Sequence, residues 1–572
     1  MKEDNMNNKY RGKRKKNDDR TQKRDVRNGN DRSPINDIGW YSRYPNLLVA
    51  SGAFPYPYRP GMSLPLGEFA QTGSTSIGKR TENIPGVLSL FWAPSVGTSN
   101  VSTDPASVVA KEIYAKVRQK FSGSLEADAP DYVVYLMALD SMFSYIAWLK
   151  RLYRVLTVWT PMNYVLPDQV INAMGIGTND ANGLRENRTK LWQYINELVL
   201  QTRKFMCPAV MDIFNRHYWM SDNIYTDSNS INSQFYMFNL YSVYKFKMLK
   251  MADGTENLGP GLEMVRLPQF VVSSMGKAES VDVDVLYQFG LDMINRLVAW
   301  DECYTINGYL QKAYEGAPVF IVDELPADQP FTPVYVEEVL MQIENSRTVP
   351  NFKDFRSGNG DLSGFNVTQN PLTNAVVSNP QYTTTGGFDT DGDPVDPTFS
   401  MDYNGWAIPP VLTIRSEQPT VADNTIASRL QAAVTVDVGT KSGDINNYTV
   451  HIDCGTEVPL WWALVDQSSD VGSTTMFDWI PQTPSLPVIE SKVDYITVNN
   501  MLNQIKRFIT LDQFDWHPLV FVNMYRQSTG SALTANGVTI VGDLHNVTTI
   551  SSDDLENLHK ICIYSELNAF SA

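Results

Sequence analysis

The sequence predicts an α+β fold, in which a large helical domain carries an inserted β-rich module and follows a disordered basic arm. Three observations indicate this. Residues 1–38 are basic and contain few apolar side chains. Apolar side chains recur at helical spacing through 39–350 and again through 491–572. Residues 351–490 are rich in Gly, Pro, Asn, Asp and Thr and hold short alternating runs, a pattern typical of strands joined by turns.

The N-terminal arm has the opposite charge from the rest of the chain. Its first 32 residues hold 12 Lys and Arg against six Asp and Glu, whereas the remainder holds 35 basic and 57 acidic residues. Four apolar side chains among those 32 cannot offset the entropy lost on ordering, so we expect disorder. Such an arm suits neutralisation of nucleic-acid phosphates, although a solubilising tail or a nuclear localisation signal has a similar composition. The candidate nucleic-acid-binding residues are Lys9, Arg11, Lys13, Arg14, Lys15, Lys16, Arg20, Lys23, Arg24 and Arg27.

The folded chain begins with three predicted elements. Residues 39–61 are rich in aromatic residues and proline, which predicts an extended surface segment. Residues 85–97 (PGVLSLFWAPSVG) predict a buried strand. Asp104 and Pro105 are typical of a helix start, and apolar residues recur at four-residue spacing from there to Phe121.

The most apolar helix is predicted at 128–159. Asp128 offers an N-terminal cap and Pro130 a first-turn residue. The run approaches the roughly 20 apolar residues that a membrane span needs, but Asp140 falls within it, where an acid costs about 2.5–3.5 kcal/mol in lipid. We therefore predict a buried core helix with Asp140 paired or hydrogen-bonded, and no membrane span.

Beyond the central helix, the same spacing predicts further helices before residue 350. The polar run at 221–233 predicts a loop between two of them. The predicted helices cover 184–205, 208–220, 283–300 and a shorter one that starts after Pro333 and includes Ile343.

The β-rich module is also the most acidic part of the chain. Residues 351–490 hold five Lys and Arg against 17 Asp and Glu. Helical patterns return at 493–511 and 554–568, so the module is predicted as an insertion into the helical domain, facing solvent. Its predicted strands are 411–414, 433–438, 448–454 and 460–465.

Motifs that would indicate an enzyme do not occur in the sequence. There is no phosphate-binding P-loop, Rossmann fingerprint, His-Glu-x-x-His zinc motif, Gly-x-Ser-x-Gly elbow or Gly-Asp-Asp polymerase turn. The four cysteines are far apart, and the N-terminus lacks the apolar segment of a secretory signal, which indicates synthesis in a reducing compartment. The five histidines lack metal-ligand spacing. We therefore expect no enzyme activity, no cofactor and no metal site.

One acidic run is partly similar to a calcium loop. Residues 389–396 (DTDGDPVD) place acids at alternate positions, but their glycine is fourth rather than sixth. Ser400 stands where a calcium loop has its bidentate Glu. We predict a solvated acidic loop and keep calcium binding at 389–396 as the alternative.

A basic arm, a large helical domain, an acidic β-rich insertion and no catalytic motif together describe a capsid subunit. Four segments resemble the picobirnavirus capsid protein family in their residue patterns and in their order along the chain. They lie at 39–48, 85–97, 128–155 and 215–238. The resemblance covers residues 39–240, and residues 351–490 show nothing comparable.

The resemblance implies a predominantly helical shell domain, with an inserted β-rich projecting domain at a dimer contact. It further implies that the chain forms symmetric homodimers that close into a small icosahedral shell. The shell would hold double-stranded RNA genome segments and the viral RNA polymerase, and the virion would assemble in the host cytoplasm. Some family members cleave their own N-terminal segment, but no cleavage residue is identifiable in this sequence.

The residues leave two other classes of function open. One is a non-viral nucleic-acid-binding scaffold protein with a basic tail, and the other is an enzyme whose site matches no known motif. A scaffold would remain a soluble monomer or dimer, whereas a capsid subunit would form uniform closed particles. Size-exclusion chromatography and negative-stain microscopy of the recombinant chain separate these outcomes.

Overall fold

The computed structural model divides the chain into two compact units, residues 1–57 and 58–572, the second called the body below. The basic arm, the acidic run at 389–396 and nearly all of the helix predicted at 493–511 lie outside the described residues. The residues that the structure describes are 43–52, 63–65, 81–83, 85–159, 165–228, 233–250, 257–271, 280–349, 361–387, 410–442, 445–467, 474–478, 488–489, 511–512, 514–527 and 533–570.

The described part of the first unit is a short apolar helix. Helix α1 spans Pro45–Gly52. The sequence predicts an extended segment here, and the structure corrects this, because Pro45 has the fixed φ that suits a first helical turn. The side chains of Leu47, Leu48 and Val49 are exposed.

The described helices of the body include those predicted before residue 350 and the final one, together with three that the sequence does not predict. These three lie at Val165–Ala173, Cys303–Ala313 and Val421–Ser428, the last within the module predicted to be β-rich. One difference is that the helix predicted over 184–205 is interrupted at Asn187. Another is that the helix predicted from Pro208 begins at Ile213, because Pro208 forms a β-bridge with Val319. The helices are α2 (Pro105–Arg118), α3 (Ala129–Thr157), α4 (Val165–Ala173), α5 (Thr178–Glu186), α6 (Arg188–Thr202), α7 (Ile213–Asp222), α8 (Val283–Val298), α9 (Cys303–Ala313), α10 (Glu337–Glu344), α11 (Val421–Ser428) and α12 (Ser552–Glu566).

Helix α3 lies at the centre of the body. Pro130 occupies its first turn, and the Asp131 carboxylate accepts a hydrogen bond from the Asp128 backbone N–H at 2.7 Å. It packs against α2, α6, α7 and α8 and against strands of two sheets. Among the described residues it is the one helix long and apolar enough to cross a membrane, and its most apolar stretch is entirely buried in the body. Leu136 and Trp148 are fully buried, so the prediction of a core helix is confirmed.

The described strands form six sheets, and the two main sheets each combine strands from before and after residue 350. The described strands are β1 (Ser63–Pro65), β2 (Thr81–Asn83), β3 (Pro85–Pro94), β4 (Tyr225–Thr226), β5 (Phe235–Leu240), β6 (Ser242–Lys250), β7 (Asn257–Arg266), β8 (Val367–Asn370), β9 (Ala375–Ser378), β10 (Gln381–Gly387), β11 (Val411–Ile414), β12 (Ala433–Ser442), β13 (Ile445–Asp453), β14 (Glu457–Gln467), β15 (Thr474–Asp478), β16 (Val488–Ile489), β17 (Val520–Gln527), β18 (Leu533–Val541) and β19 (Asn546–Thr549). The two main sheets have the orders β15-β14-β3-β5-β4 and β6-β7-β8-β9. The smaller ones are β10-β13-β12, β16-β17-β18, β11-β19 and β1-β2.

The pairing in the first main sheet shows that residues 351–490 do not all belong to a separate inserted module. Strand β14 lies within that range, yet it pairs antiparallel with β3 in the five-stranded sheet of the body. Phe91 of β3 and Trp461 of β14 stack with ring centroids 4.4 Å apart. Strands β8 and β9, from the same range, extend the sheet of β6 and β7. Because β14 is an interior strand buried on both faces, its near-continuous apolar run belongs to the five-stranded sheet and not to a separate module.

The described elements therefore combine a helical core with several mixed and antiparallel sheets. This confirms the α+β class. The sequence gives no prediction for strands β5, β6 and β7, at 235–266. Strand β5 (FYMFNL) is a nearly continuous apolar run buried at every position, and periodicity does not distinguish such a run from a segment of a buried helix.

Candidate functional site

The predicted nucleic-acid-binding residues, from Lys9 to Arg27, lie outside the described residues, as does the acidic run at 389–396. Within the ranges that the structure describes, no group of three or more His, Cys, Asp or Glu side chains is arranged to hold a metal ion. The most distinctive polar arrangement in the described body is a set of buried charges, called here the core ion network. Its members are Asp140, Arg216, His217, Arg429, Glu457 and Glu566.

The network begins at Asp140, the acid that interrupts the apolar face of α3. Its carboxylate oxygen Oδ2 lies 2.6 Å from Nδ1 of His217 on α7. Both side chains are at most 1% exposed, and the imidazole packs on the Trp92 ring with centroids 4.8 Å apart. The prediction that Asp140 is paired inside the core is confirmed.

Glu457, the first residue of β14, brings three cationic groups together. Its carboxylate accepts a hydrogen bond from Nε of Arg216. The NH2 group of Arg429 lies 3.3 Å from each of its two oxygens, and Nε2 of His217 lies 3.7 Å from Oε1. Glu457 is fully buried, so these cations replace the water that would otherwise solvate its charge.

The network ends at Glu566, the last residue of α12. The same Arg429 NH2 group donates to Glu566 at 2.5 Å, and the hydroxyl of Thr456 donates to the other carboxylate oxygen. Charged contacts thus connect α3 and α7 to the start of β14, to the residue after α11 and to the C-terminal helix. Segments separated by several hundred residues of sequence meet at one point.

The pKa shifts describe the charge state of this network. Burial alone lowers the pKa of His217, but the carboxylates of Asp140 and Glu457 raise it to about 9. Burial raises the pKa of Asp140, so the His217–Asp140 pair keeps a proton at neutral pH. Although burial opposes ionisation of Glu457, Arg216 and Arg429 hold its pKa well below the ordinary value. With His217 protonated, three cations balance three carboxylates.

This geometry suits a structural role better than a catalytic one. An Asp–His pair also occurs in hydrolytic triads, where the second imidazole nitrogen activates a nucleophile that reaches substrate. Here that nitrogen faces Glu457, and the pair has no contact with solvent. A carboxylate cannot serve as the hydroxyl nucleophile of such a triad, and no substrate reaches a fully buried imidazole.

A second buried polar contact joins α3 to the sheet. The Arg151 guanidinium donates to the carbonyl of Phe238 in β5 at 2.7 Å, and burial lowers its pKa to about 9. One turn earlier, Nε1 of Trp148 donates to Oδ1 of Asn239 at 3.0 Å. These hydrogen bonds fix the rotation of α3 relative to β5, because each needs its partner at one position on the strand.

Sequence reasoning identified one member of the core ion network and missed the rest. Asp140 was detectable because an acid within an apolar helix requires a partner. His217, Arg429 and Glu566 lie in segments of mixed polar and apolar residues. Such segments are equally typical of surface positions, so they give no sign of burial. No local signal pairs residues so distant along the chain.

The comparisons with known proteins agree on one family. The family described as Picobirnavirus, Capsid protein matches residues 40–400, more than half of the chain. A capsid protein precursor of human picobirnavirus (strain Human/Thailand/Hy005102/-) is 24% identical over 568 residues, which cover 95% of this chain and 92% of that protein.

The fold of the body also occurs in a solved structure. The X-ray crystallographic structure of the picobirnavirus capsid superposes with a TM-score of 0.69 at 20% sequence identity, covering 93% of this chain and 99% of that one. The resemblance in the sequence is therefore confirmed, and the family supports a structural capsid role over the non-viral scaffold alternative. The chain belongs to the picobirnavirus capsid protein family.

Proposed function

We propose that this chain is the repeating subunit of a closed viral shell, which assembles from homodimers and packages double-stranded RNA through its basic N-terminal arm. The observation that carries the proposal is the reversal of charge between arm and body in a member of a capsid family. The shell is a small T=1 icosahedral particle, and the protein acts as a structural component of the virion rather than as an enzyme. Its assembly takes place in the host cytoplasm.

The arm binds RNA without reading its sequence. Its 12 basic side chains are interspersed with six acids, so one arm alone binds weakly. Many arms in one cavity raise the effective affinity, since each bound arm holds the others near the same RNA. The viral RNA polymerase shares the cavity as a second internal partner.

The projecting domain proposed here contains fewer strands than the range 351–490 that the sequence predicts. Strands β8, β9, β14 and β15 belong to the two main sheets. The sheet β10-β13-β12 is the described sheet formed only by strands from 351–490, and it is the part assigned here to a projection. The acidic composition of 351–490 supports an outward position, away from the RNA. A dimer contact through this domain remains part of the proposal.

The test compares particles from the full-length chain with particles from a chain that lacks residues 1–32. Deletion should leave closed particles while removing most of their nucleic acid, measured as the ratio of absorbance at 260 and 280 nm. Changing Arg11, Lys13, Arg14, Lys15 and Lys16 to Ser should give an intermediate content. Log affinity of the arm for duplex RNA should fall with log salt by roughly 0.9 per neutralised phosphate.

A matched control changes five basic residues of the body instead of the arm. Equal RNA content in full-length and arm-deleted particles would contradict packaging by the arm and favour a nuclear localisation signal. A chain that stays monomeric at micromolar concentration at every ionic strength would contradict the shell itself, since obligate shell contacts bury upwards of roughly 2,000 Å².

A further inference from the structure

Among the residues that the structure describes, the two-stranded sheet β11-β19 has one edge closed by a side chain and one edge, called here the open edge, that pairs with no other strand. On the closed side, the backbone N–H of Thr413 donates to Oδ1 of Asn345 at 2.7 Å, and Nδ2 of Asn345 donates to the Thr413 carbonyl at 2.8 Å. The side-chain amide of Asn345 thus forms with Thr413 the two backbone hydrogen bonds that a neighbouring strand would form beside β11. On the other side, all four residues of β19 are exposed.

The register determines which backbone groups of β19 face outward. The backbone N–H of Ile550 donates to the carbonyl of Pro410 at 3.0 Å, which makes these two residues a hydrogen-bonded pair of the antiparallel ladder. By alternation, Asn546 and Thr548 also direct their backbone groups to β11. Val547 and Thr549 therefore point theirs away from it, and within the described ranges these groups have no hydrogen-bond partner.

The open edge lacks the usual protection against pairing. Exposed edge strands normally carry a charged residue, a proline or a bulge that prevents another strand from adding. The segment NVTTI, residues 546–550, contains no charge and no proline, and its register with β11 is regular. Val547, a residue favoured in paired strands, is 48% exposed here.

We propose that β19 pairs with β19 of a second copy of this chain, antiparallel across a two-fold axis centred on Thr548. In this register Val547 of each copy lies opposite Thr549 of the other. Both residues direct their backbone groups outward, so all eight open groups form four hydrogen bonds. The sheets of two copies join into one four-stranded sheet, in the order β11-β19-β19-β11.

A second copy fits this edge better than an unrelated peptide does. A two-fold contact requires a surface that complements itself, and this edge satisfies all its own open groups in a single register. The inference rests on the proposed function, which places many copies of the chain in contact. It adds a named contact to the dimer, separate from any contact through the projecting domain.

Disulfide bridging between single-cysteine substitutions tests the register. At a two-fold axis on Thr548, the two Thr548 residues form a non-hydrogen-bonded pair with Cα atoms about 4.5 Å apart, within the roughly 4.4–6.8 Å that a disulfide spans. T548C should therefore give a covalent dimer with oxidised glutathione. T549C is the matched control, because the two Thr549 residues lie two positions apart along the paired strands, beyond the roughly 7 Å limit.

A second variant removes hydrogen bonds without changing the body. In V547P the lost N–H is one that points outward, so pairing of β19 with β11 is retained. Dimer association should weaken roughly 10- to 100-fold, because two of the four bonds are removed, whereas V547T should associate as the wild type does.

The outcomes separate this contact from the proposed function. T548C bridging with T549C unbridged, together with weaker V547P dimers, supports the contact. A wild-type chain that assembles while T548C stays unbridged, or while T549C bridges equally, overturns the contact alone. A wild-type chain that never associates overturns the proposed function as well.

Discussion

Replacing Glu457 by Gln tests whether the core ion network holds the body together. The substitution keeps the size of the side chain and removes its charge. Arg216 and Arg429 then share Glu566 as the remaining carboxylate of the network near them, and Glu566 is 15% exposed. The protonated His217 retains Asp140 alone. A buried cluster with two cationic guanidinium groups thus loses its central anion.

The expected loss of stability is large because the charge is fully buried. Breaking a buried ion pair by removing one partner costs about 3–5 kcal/mol, most of it the cost of the uncompensated charge left behind. Glu263 provides the matched control: it pairs with Lys247 and Arg296, and all three side chains are between 29% and 48% exposed. Glu263→Gln should cost about 0–1 kcal/mol.

Equilibrium urea unfolding of the two variants and the wild type measures the difference. All three need the same protein concentration, because association stabilises the folded chain by mass action. Equal slopes with denaturant would show that the variants unfold in the same way. If Glu457→Gln loses no more stability than Glu263→Gln, the network does not hold the body together and the reasoning is wrong.

Three further predictions concern single features of the body. Because the folded pKa of His217 is about 9 and its ordinary value is 6.5, its stabilising contribution is complete below 6.5 and is lost as pH rises through 9. The urea midpoint should fall over that range, and His217→Gln should flatten the fall. Trp148→Ala should cost about 3–5 kcal/mol in urea unfolding, because it leaves a core cavity and removes the donor to Asn239. Asn345→Ala should cost about 1–3 kcal/mol, because it leaves buried backbone groups of Thr413 unpaired.

Each of these predictions has a contradicting result. A urea midpoint that stays constant or rises from pH 6.5 to above 9 would contradict the protonated state of His217. A cost below about 1 kcal/mol for Trp148→Ala would mean that the site collapses around the smaller residue. A cost well below about 1 kcal/mol for Asn345→Ala would mean that the backbone groups of Thr413 find other partners. Asn345→Asp should also destabilise, because it keeps the acceptor for the Thr413 N–H but places a second oxygen against the Thr413 carbonyl.

The central helix could be predicted from sequence because its evidence is local. An apolar run with a cap at Asp128, Pro130 in the first turn and one interrupting acid already indicates a buried helix with a paired Asp140. The strand at 85–94 and the final helix follow from similarly continuous patterns. Each of these elements carries its signal within its own residues.

The position of β14 could not be predicted in the same way. Its sequence, EVPLWWALVDQ, lies between turn-rich segments of an acidic block, so composition assigns it to that block. Its pairing with β3 crosses more than 350 residues of sequence, and no local pattern records such a partner. Replacing residues 351–490 by a short linker would therefore remove an interior strand of the body, not only a projection.

The core ion network and the open edge of β19 suit two different needs of a shell subunit, which are a stable body and a surface for contact with other copies. A subunit that contacts several neighbours needs a body of constant shape. We expect the buried charges of the core ion network to favour one arrangement of the segments that carry them, because each charge needs its partner. The same subunit needs surfaces left incomplete until a second copy arrives, and an unpaired strand edge is such a surface. Arg429 follows α11, which packs against β11, so the residue that joins Glu457 to Glu566 also lies near the sheet that carries the open edge. Pairing at β19 would then act on elements that the network already holds in place.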